Sequence, residues 1–296
     1  MLVVKDHFLV FNARQVWWPD RPEEVFAQLS RAPVVTVMQC GDQVARALEP
    51  YSFRSKPFDT SLIDLSVSET DLWSRLDPKS CRYHIRKVKE IGCCVTVNED
   101  REQAFDFINA FFSRRKFRRP MSSTAWQSNL EHGDVFIAKH EGRILAAHLV
   151  LVDPPLRARI IFGATARLEG GVEPALMGGV NRYLHWYELD HYRARGIARF
   201  DFGGIDVDPA SPLHSITRFK LSFGGDIVRQ HILRLSANRG LRVTLKQLAR
   251  AKRAGDAIRR FARSRAGFGA TVAAHPLLGL GAYADVWRVI CALGGD

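Results

Sequence analysis

The sequence predicts an α/β protein built on a mixed central sheet flanked by helices. Three observations carry this. Residues 134–140, 143–152 and 157–165 are apolar stretches separated by Glu141-Gly142 and Asp153-Pro154-Pro155, the layout of an antiparallel meander. Residues 175–194 read as a long amphipathic helix, and Gly196 follows as its natural cap. Directly afterwards Ala198-Arg199-Phe200-Asp201-Phe202 alternates like a strand with one buried face and stops at Gly203-Gly204, where a missing Cβ permits a sharp turn or a close ligand.

The other elements follow in order. Leu2-Val3-Val4 and Phe8-Leu9-Val10-Phe11 read as strands, and Pro22-Glu23-Glu24 opens a helix through Leu29 because proline suits the first helical turn. Residues 33–38 are a buried strand. Ser68 caps a helix over residues 68–76, with Asp71 three residues on, and Pro78 breaks it. A second helix spans residues 80–91 and places Arg82, Arg86 and Lys89 on one side. Residues 93–97 are a strand. Residues 101–117 form an amphipathic helix with Phe105, Ile108, Phe111 and Phe112 inward, leading into the basic run 114–120. On the long helix, Leu176, Val180, Leu184, Tyr187 and Tyr192 form the inner face. Residues 227–235 are the last strand. Residues 239–265 form basic helices, and residues 271–293 an apolar tail. The expected domains are a small α/β unit over 1–60, the main domain over 61–236 and a basic helical extension over 237–296.

Composition narrows the function classes. At 46% hydrophobic and 25% charged, the 296 residues are ordinary globular material. No apolar run reaches the roughly 18 residues of a membrane span, and the N-terminus has no cationic leader, so a cytoplasmic protein is expected. Five cysteines without CxxC spacing argue for neither a disulfide framework nor a zinc site. The net charge of +12 calls for an anionic partner: a phosphate-bearing donor, tRNA, a nucleotide-sugar precursor or anionic lipid. Much of the excess lies in residues 239–265, which hold ten Lys and Arg against Asp256 alone. Such a basic amphipathic segment beside an apolar tail suits peripheral contact with the inner membrane face.

The segment 198–226 holds the densest chemistry. After Gly203-Gly204 come Asp206 and Asp208, then Arg218-Phe219-Lys220, an aromatic between two cations, and Gly224-Gly225. This order suits either a site at the mouth of a sheet or a salt-bridged βα turn. Arg82 and Arg86 belong either to a solvated helix face or to a grip on an anionic substrate, because guanidinium forks match phosphate and carboxylate. His148, inside a strand, is either a packing residue or a general base. No G-x-S-x-G elbow is present.

The run Phe200-Asp201-Phe202-Gly203-Gly204-Ile205-Asp206 with Arg218-Phe219-Lys220 and Phe223-Gly224-Gly225-Asp226 resembles the C-terminal signature of the FemABX-like branch of the GNAT (Gcn5-related) acyltransferases. Ile63-Asp64-Leu65, Leu72-Trp73 and Arg82 to Lys87 with Glu90-Ile91-Gly92 are similar to an upstream block of that branch. Pro174-Ala175-Leu176, with a helix ending at Arg195-Gly196, fits a third. The match covers residues 62–228. It implies a GNAT-like fold, with residues 1–60 as a degenerate GNAT-like half, and an acyl carbonyl held between two splayed parallel strands.

The resemblance further implies an N-acyltransferase without a tightly bound cofactor or metal. Its donor is aminoacyl-tRNA or acyl-CoA, and its acceptor is an amine of a cell-envelope precursor, peptidoglycan or another polysaccharide. The loop Arg167-Leu168-Glu169-Gly170-Gly171 departs from the usual phosphate-binding loop of acetyl-CoA enzymes. In the implied site Lys220 stabilises the carbonyl. Phe219, Arg218, Phe202, Gly203 and Gly204 line the donor channel, and Arg82 and Arg86 bind acceptor phosphate. Asp206 or His148 takes the proton, with Asp201 as an orienting group or base. The rivals are the same fold using acyl-CoA on a glycan or lipid-linked acceptor, and a non-catalytic RNA- or membrane-surface-binding protein acting through residues 239–265.

Overall fold

A computed structural model of the chain describes residues 1–114, 120–168 and 174–251. Contacts divide the chain into two compact units, Met1–Leu245 and Lys246–Asp296. Most of the basic run at 114–120, the loop after Leu168, the basic residues beyond Ala251 and the apolar tail at 271–293 lie outside the described residues.

The strands are β1 (Leu2–Phe8), β2 (Phe11–Trp17), β3 (Val34–Cys40), β4 (Ser52–Asp64), β5 (Cys94–Val97), β6 (Gly133–His140), β7 (Arg143–Asp153), β8 (Arg157–Thr165), β9 (Arg199–Gly204) and β10 (Asp226–Leu235). The helices are α1 (Pro22–Leu29), α2 (Asp42–Leu48), α3 (Glu69–Arg75), α4 (Tyr83–Glu90), α5 (Arg101–Ser113), α6 (Ser123–Leu130), α7 (Pro174–Ala194) and α8 (His214–Leu221). Residues 239–251 are helical. All ten strands form one mixed sheet in the order β1-β2-β3-β10-β4-β9-β8-β7-β6-β5.

Local chemistry explains the boundaries. Ser68 Oγ accepts the backbone N–H of Asp71 at 3.1 Å and caps α3. Asp77 accepts Lys79 N at 3.1 Å and Ser80 N at 2.6 Å, so the expected helix at 80–91 instead opens with a wide turn over Pro78–Arg82 before α4. Glu141 and Gly142 take φ of 49° and 75°, the paired positive values that match the twist of a two-residue hairpin.

Several expectations are corrected. The strand expected over Phe8–Phe11 is a hairpin turn. Leu9 takes φ 57°, and Leu9 and Val10 are 65% and 58% exposed, apolar residues at a tip with nothing to pack on. Lys220 lies on a helix, α8, an element the sequence reading did not assign. The thirteen-residue β4, with α2 and α6, was not anticipated. β3 and β4 both pair with β10, which places the N-terminal strands in the same sheet as the rest.

The sheet is covered on both faces. On one, α3, α4 and α7 bury Leu72, Ile85, Val88, Val180, Leu184 and Tyr192 against Phe136, Val150, Phe200 and Phe202. On the other, α5 and α6 bury Ile108, Phe112 and Trp126 against Val135, Ile137, Ala147 and Leu149. Phe136 and Ile137 thus serve opposite faces, as a period of two requires. Each such full burial is worth about 1.5–3 kcal/mol before entropy is counted. α1 and α2 pack on β2, β3 and β10 through Val25, Leu29, Val44 and Leu48. The sheet curls enough that Leu2, Val4, Trp17 and Trp18 meet Leu151 of β7, although several strands lie between them.

Candidate active site

β8 and β9 run parallel but pair at only three positions, Arg157 with Arg199, Ala158 with Phe200 and Arg159 with Asp201. β8 then continues to Thr165 and β9 to Gly204 without pairing to each other. A register shift between Leu149 and Val150 leaves Ile161 as the extra residue of a bulge in β8, which bends that strand. The two strands therefore part at their C-terminal ends, where backbone groups of an open α/β sheet face a crevice.

α8 brings Lys220 to this point. Thr217 anchors the helix: its hydroxyl donates to the Asp206 carbonyl and accepts the Asp206 N–H, both at 2.9 Å. Lys220 Nζ donates to the Gly204 carbonyl at the end of β9, at 2.7 Å. The side chain is half-buried. Burial, with the nearby Arg159 guanidinium, lowers its pKa to about 8. At neutral pH the amine is a charged donor that gives up its proton more readily than an ordinary lysine.

Asp201 occupies the other face of β9 from Phe200 and Phe202 and is fully buried. One carboxylate oxygen accepts Thr60 Oγ1 and the Gly203 N–H (2.7 Å). The other accepts Gln39 Nε2 (2.6 Å) and Arg159 Nη1 (3.3 Å). Gln39 in turn accepts Trp18 Nε1 at 3.0 Å and donates to Gln230 Oε1 at 3.0 Å. Arg159 lies over the rings of Trp17 and Phe58, at 5.3 and 5.2 Å. Gly203, at φ 77°, leaves room for this guanidinium: a Cβ there would lie 3.2 Å from Arg159 Nη2. A Cβ on Gly204 would come within 2.9 Å of the Phe58 ring.

His148 faces α7 and is sealed there. Its Nδ1 meets Glu188 Oε1 at 2.6 Å and its Nε2 meets Asn181 Oδ1 at 3.0 Å. Gly163 on β8 makes space for the ring, since a Cβ would sit 3.1 Å from His148 Cδ2. Glu188 also accepts Nδ1 of His185 at 2.9 Å, and all three side chains are buried. Burial alone would raise Glu188, but the two imidazoles more than offset it and hold the carboxyl well below its usual range, near 2. Burial and the neighbouring His148 push His185 down to about 4. The atoms of His148, His185 and Glu188 lie within 4.8 Å of one another, close enough for a shared metal ion. Glu188 already bridges the two imidazoles by direct hydrogen bonds.

Asp206 sits at the surface of the loop after β9. The Ser211 hydroxyl and the Asp208 N–H hold its carboxyl below the ordinary range, which makes it a weaker base. Arg82 is half-buried with its Nε unpartnered, while Arg86 is exposed with its guanidinium 5.7 Å from the Trp73 ring. Phe219 lines a cavity of about 220 Å³ with Ser80, Arg182, Ser215, Arg218 and Ser222. The structure thus gathers Gly203, Gly204, Lys220 and Phe219 at the end of β9. It leaves Asp201 enclosed behind them, His148 beneath α7 and Arg86 on the outer surface.

Sequence reasoning passed over Asn181, His185 and Glu188. A signal was available: three polar residues at i, i+4 and i+7 on the otherwise apolar inner face of α7. Gln39, Thr60 and Arg159 carried no such signal, because their roles depend on contacts far along the chain.

The comparisons agree with this architecture. The family model described as "Acetyltransferase (GNAT) domain" matches residues 78–220. The crystal structure of FemX is similar at a TM-score of 0.61, with 12% identity over 82% of this chain and 86% of that one. A C-terminal domain assigned to a lysylphosphatidylglycerol synthetase from Agrobacterium fabrum is similar at 0.52, with 14% identity over 82% of this chain and 83% of that one. L-PGS from Bacillus licheniformis is similar at 0.50, with 14% identity over 81% of this chain and 84% of that one. No curated protein sequence matches the chain. The match to the GNAT acetyltransferase model thus runs from just before α4 to Lys220, and the fold is similar to that of FemX.

Proposed function

We propose that the protein transfers an acyl or aminoacyl group to an amine of a cell-envelope precursor or glycan, in the manner of the FemABX-like branch. The observation that carries this is the Lys220 ammonium on the Gly204 carbonyl, where β8 and β9 separate. An acyl carbonyl entering that gap would meet a charged donor aimed at the position where negative charge develops. The FemX and lysylphosphatidylglycerol synthetase folds support the envelope reading, and the net charge of +12 supports a phosphate-bearing donor such as aminoacyl-tRNA.

In this reading the neutral amine attacks the carbonyl carbon, and Lys220 hydrogen-bonds the resulting oxyanion. Collapse breaks the bond to the leaving oxygen or sulfur. With a pKa near 8, Lys220 gives that atom a proton and regains one from the nitrogen that has just bonded to carbon. Phe219 lines the donor side, and Arg82 is available to acceptor phosphate. Asp201 acts as a positioning group that fixes the end of β9, since four donors already occupy its oxygens. His148 and Glu188 lock α7 to β7.

The test is turnover with an aminoacyl-tRNA pool and with acyl-CoA, on envelope precursors carrying a free amine, comparing the native chain with Lys220→Met. Transfer by the native chain that falls at least about 100-fold in the variant, the scale of one lost oxyanion donor, supports the reading. Unchanged turnover in the variant removes Lys220 from it. Thermal protection by acyl-CoA alone assigns the thioester donor.

A further inference from the structure

The cavity of about 220 Å³ between the Pro78–Arg82 turn, α7 and α8 has a lining with a marked charge imbalance. Two guanidiniums, Arg182 and Arg218, reach it, and no carboxylate lines it. Among the described residues Arg218 has neither a hydrogen bond nor an ion pair, so its whole fork is free. Arg182 uses one N–H on the Gly178 carbonyl, at 2.9 Å, and lies 5.0 Å over the Phe219 ring. Its Nε is buried with no partner. A desolvated donor left unsatisfied is unfavourable by about 1–3 kcal/mol, and more when charged.

The hydroxyls divide by role. Ser80 donates to Asp77 at 2.7 Å and Ser222 to the Phe219 carbonyl at 2.6 Å. Ser215 makes no hydrogen bond among the described residues and can turn its proton inward. The free donors therefore come from α7 and from successive turns of α8, on different sides of the space.

We propose that this cavity binds the phosphate or diphosphate group of a phosphate ester. One guanidinium fork satisfies a planar carboxylate. The free Arg218 fork, the remaining Arg182 N–H groups and a hydroxyl, coming from two helices, suit a tetrahedral group with three or more acceptor oxygens. The space exceeds by an order of magnitude the roughly 10–15 Å³ that one water needs. Phe219 lines the cavity, and Lys220, next in α8, reaches Gly204. An ester anchored here would extend toward the strand gap. The binding site stands whether or not transfer occurs at Lys220.

The experiment is calorimetric titration of the full chain with inorganic pyrophosphate, inorganic phosphate and ADP, and flotation with phosphatidylglycerol vesicles. Each is repeated on Arg218→Gln, Arg182→Gln, the double variant and Arg31→Gln, an exposed cation outside the cavity lining, as a surface control. Saturable pyrophosphate binding is expected, weakened at least tenfold in each cavity variant and unchanged in Arg31→Gln. Arg218 is exposed, so its variant keeps the fold even if Arg182→Gln does not. ADP binding with the same dependence assigns a soluble ester. Vesicle binding that pyrophosphate displaces and Arg218→Gln abolishes assigns a lipid head group. No saturable binding of any probe, or equal binding by the double variant, overturns the proposal.

Discussion

Lys220 Nζ lies 2.7 Å from the carbonyl oxygen of Gly204, joining the last turn of α8 to the last residue of β9. The contact holds an ammonium where the parallel strands β8 and β9 stop pairing. Loss of that ammonium in Lys220→Met is expected to abolish transfer while circular dichroism is retained, and the native pH–rate profile should fall above about pH 8 as the amine loses its proton. A rate that is flat to pH 10 would contradict this assignment.

The same group gives a stability prediction of definite sign. Lys220 has a folded pKa near 8, below its ordinary 10.5. Between those values the unfolded chain binds more protons, so the native state gains stability as pH rises from 8 toward 10.5. Below pH 8 the cost of the partly buried charge is fully present. Lys220→Met should therefore melt higher than the native chain at pH 7, with the difference shrinking by pH 10. Melting curves at the two pH values check it.

Acid should act through α7. His185 is held neutral with a pKa near 4, so from about pH 6.5 down to 4 the unfolded chain takes up a proton that the fold refuses, and stability falls. Glu188, depressed toward 2, contributes stability above its ordinary 4.5 and loses it as pH drops further. Urea midpoints in His185→Gln should be flatter between pH 6.5 and 4 than in the native chain. Parallel curves would show that His185 does not control this window.

Asp201 is expected to matter for folding. Asp201→Ala leaves the buried Arg159 cation, Thr60 and Gln39 without their common acceptor, and breaking such a pair typically costs about 3–5 kcal/mol. Denaturant unfolding should show a loss of this size. A loss below about 1 kcal/mol would mean that water reaches Arg159.

Gly224 is a backbone requirement. It holds φ 78°, and a Cβ there would lie 2.6 Å from the Arg75 carbonyl. Gly224→Ala combines left-handed backbone with a clash against main chain and should cost about 1–3 kcal/mol, read as a lower melting temperature. Gly41→Ala, where a Cβ meets nothing within 4 Å, is the control.

Much of the fold was legible because it rests on local rules. The meander of β6, β7 and β8 shows as alternation and turns, α7 as a long period-3.6 stripe, and the ends of β9 and β10 as glycine pairs. The hairpin tip at Leu9-Val10 was misread because apolar residues there look like strand. The length of β4 was missed because Lys56, Pro57 and Asp59 interrupt any apolar pattern on a strand whose neighbours hold it by backbone pairing.

By itself the sequence determined the periodicities, the caps and the crowded segment from Ala198 to Asp226, since these depend on neighbours within a turn or a strand. Tertiary structure decided which of those residues are enclosed and which stand at an open strand end. Asp201 and Lys220 are close in sequence and both look catalytic there. Partners 42 to 162 positions away enclose the carboxylate, while the amine is held at the open end of the gap. The physical reason is that burial and hydrogen-bond satisfaction are properties of contacts between distant elements, and no local pattern encodes them.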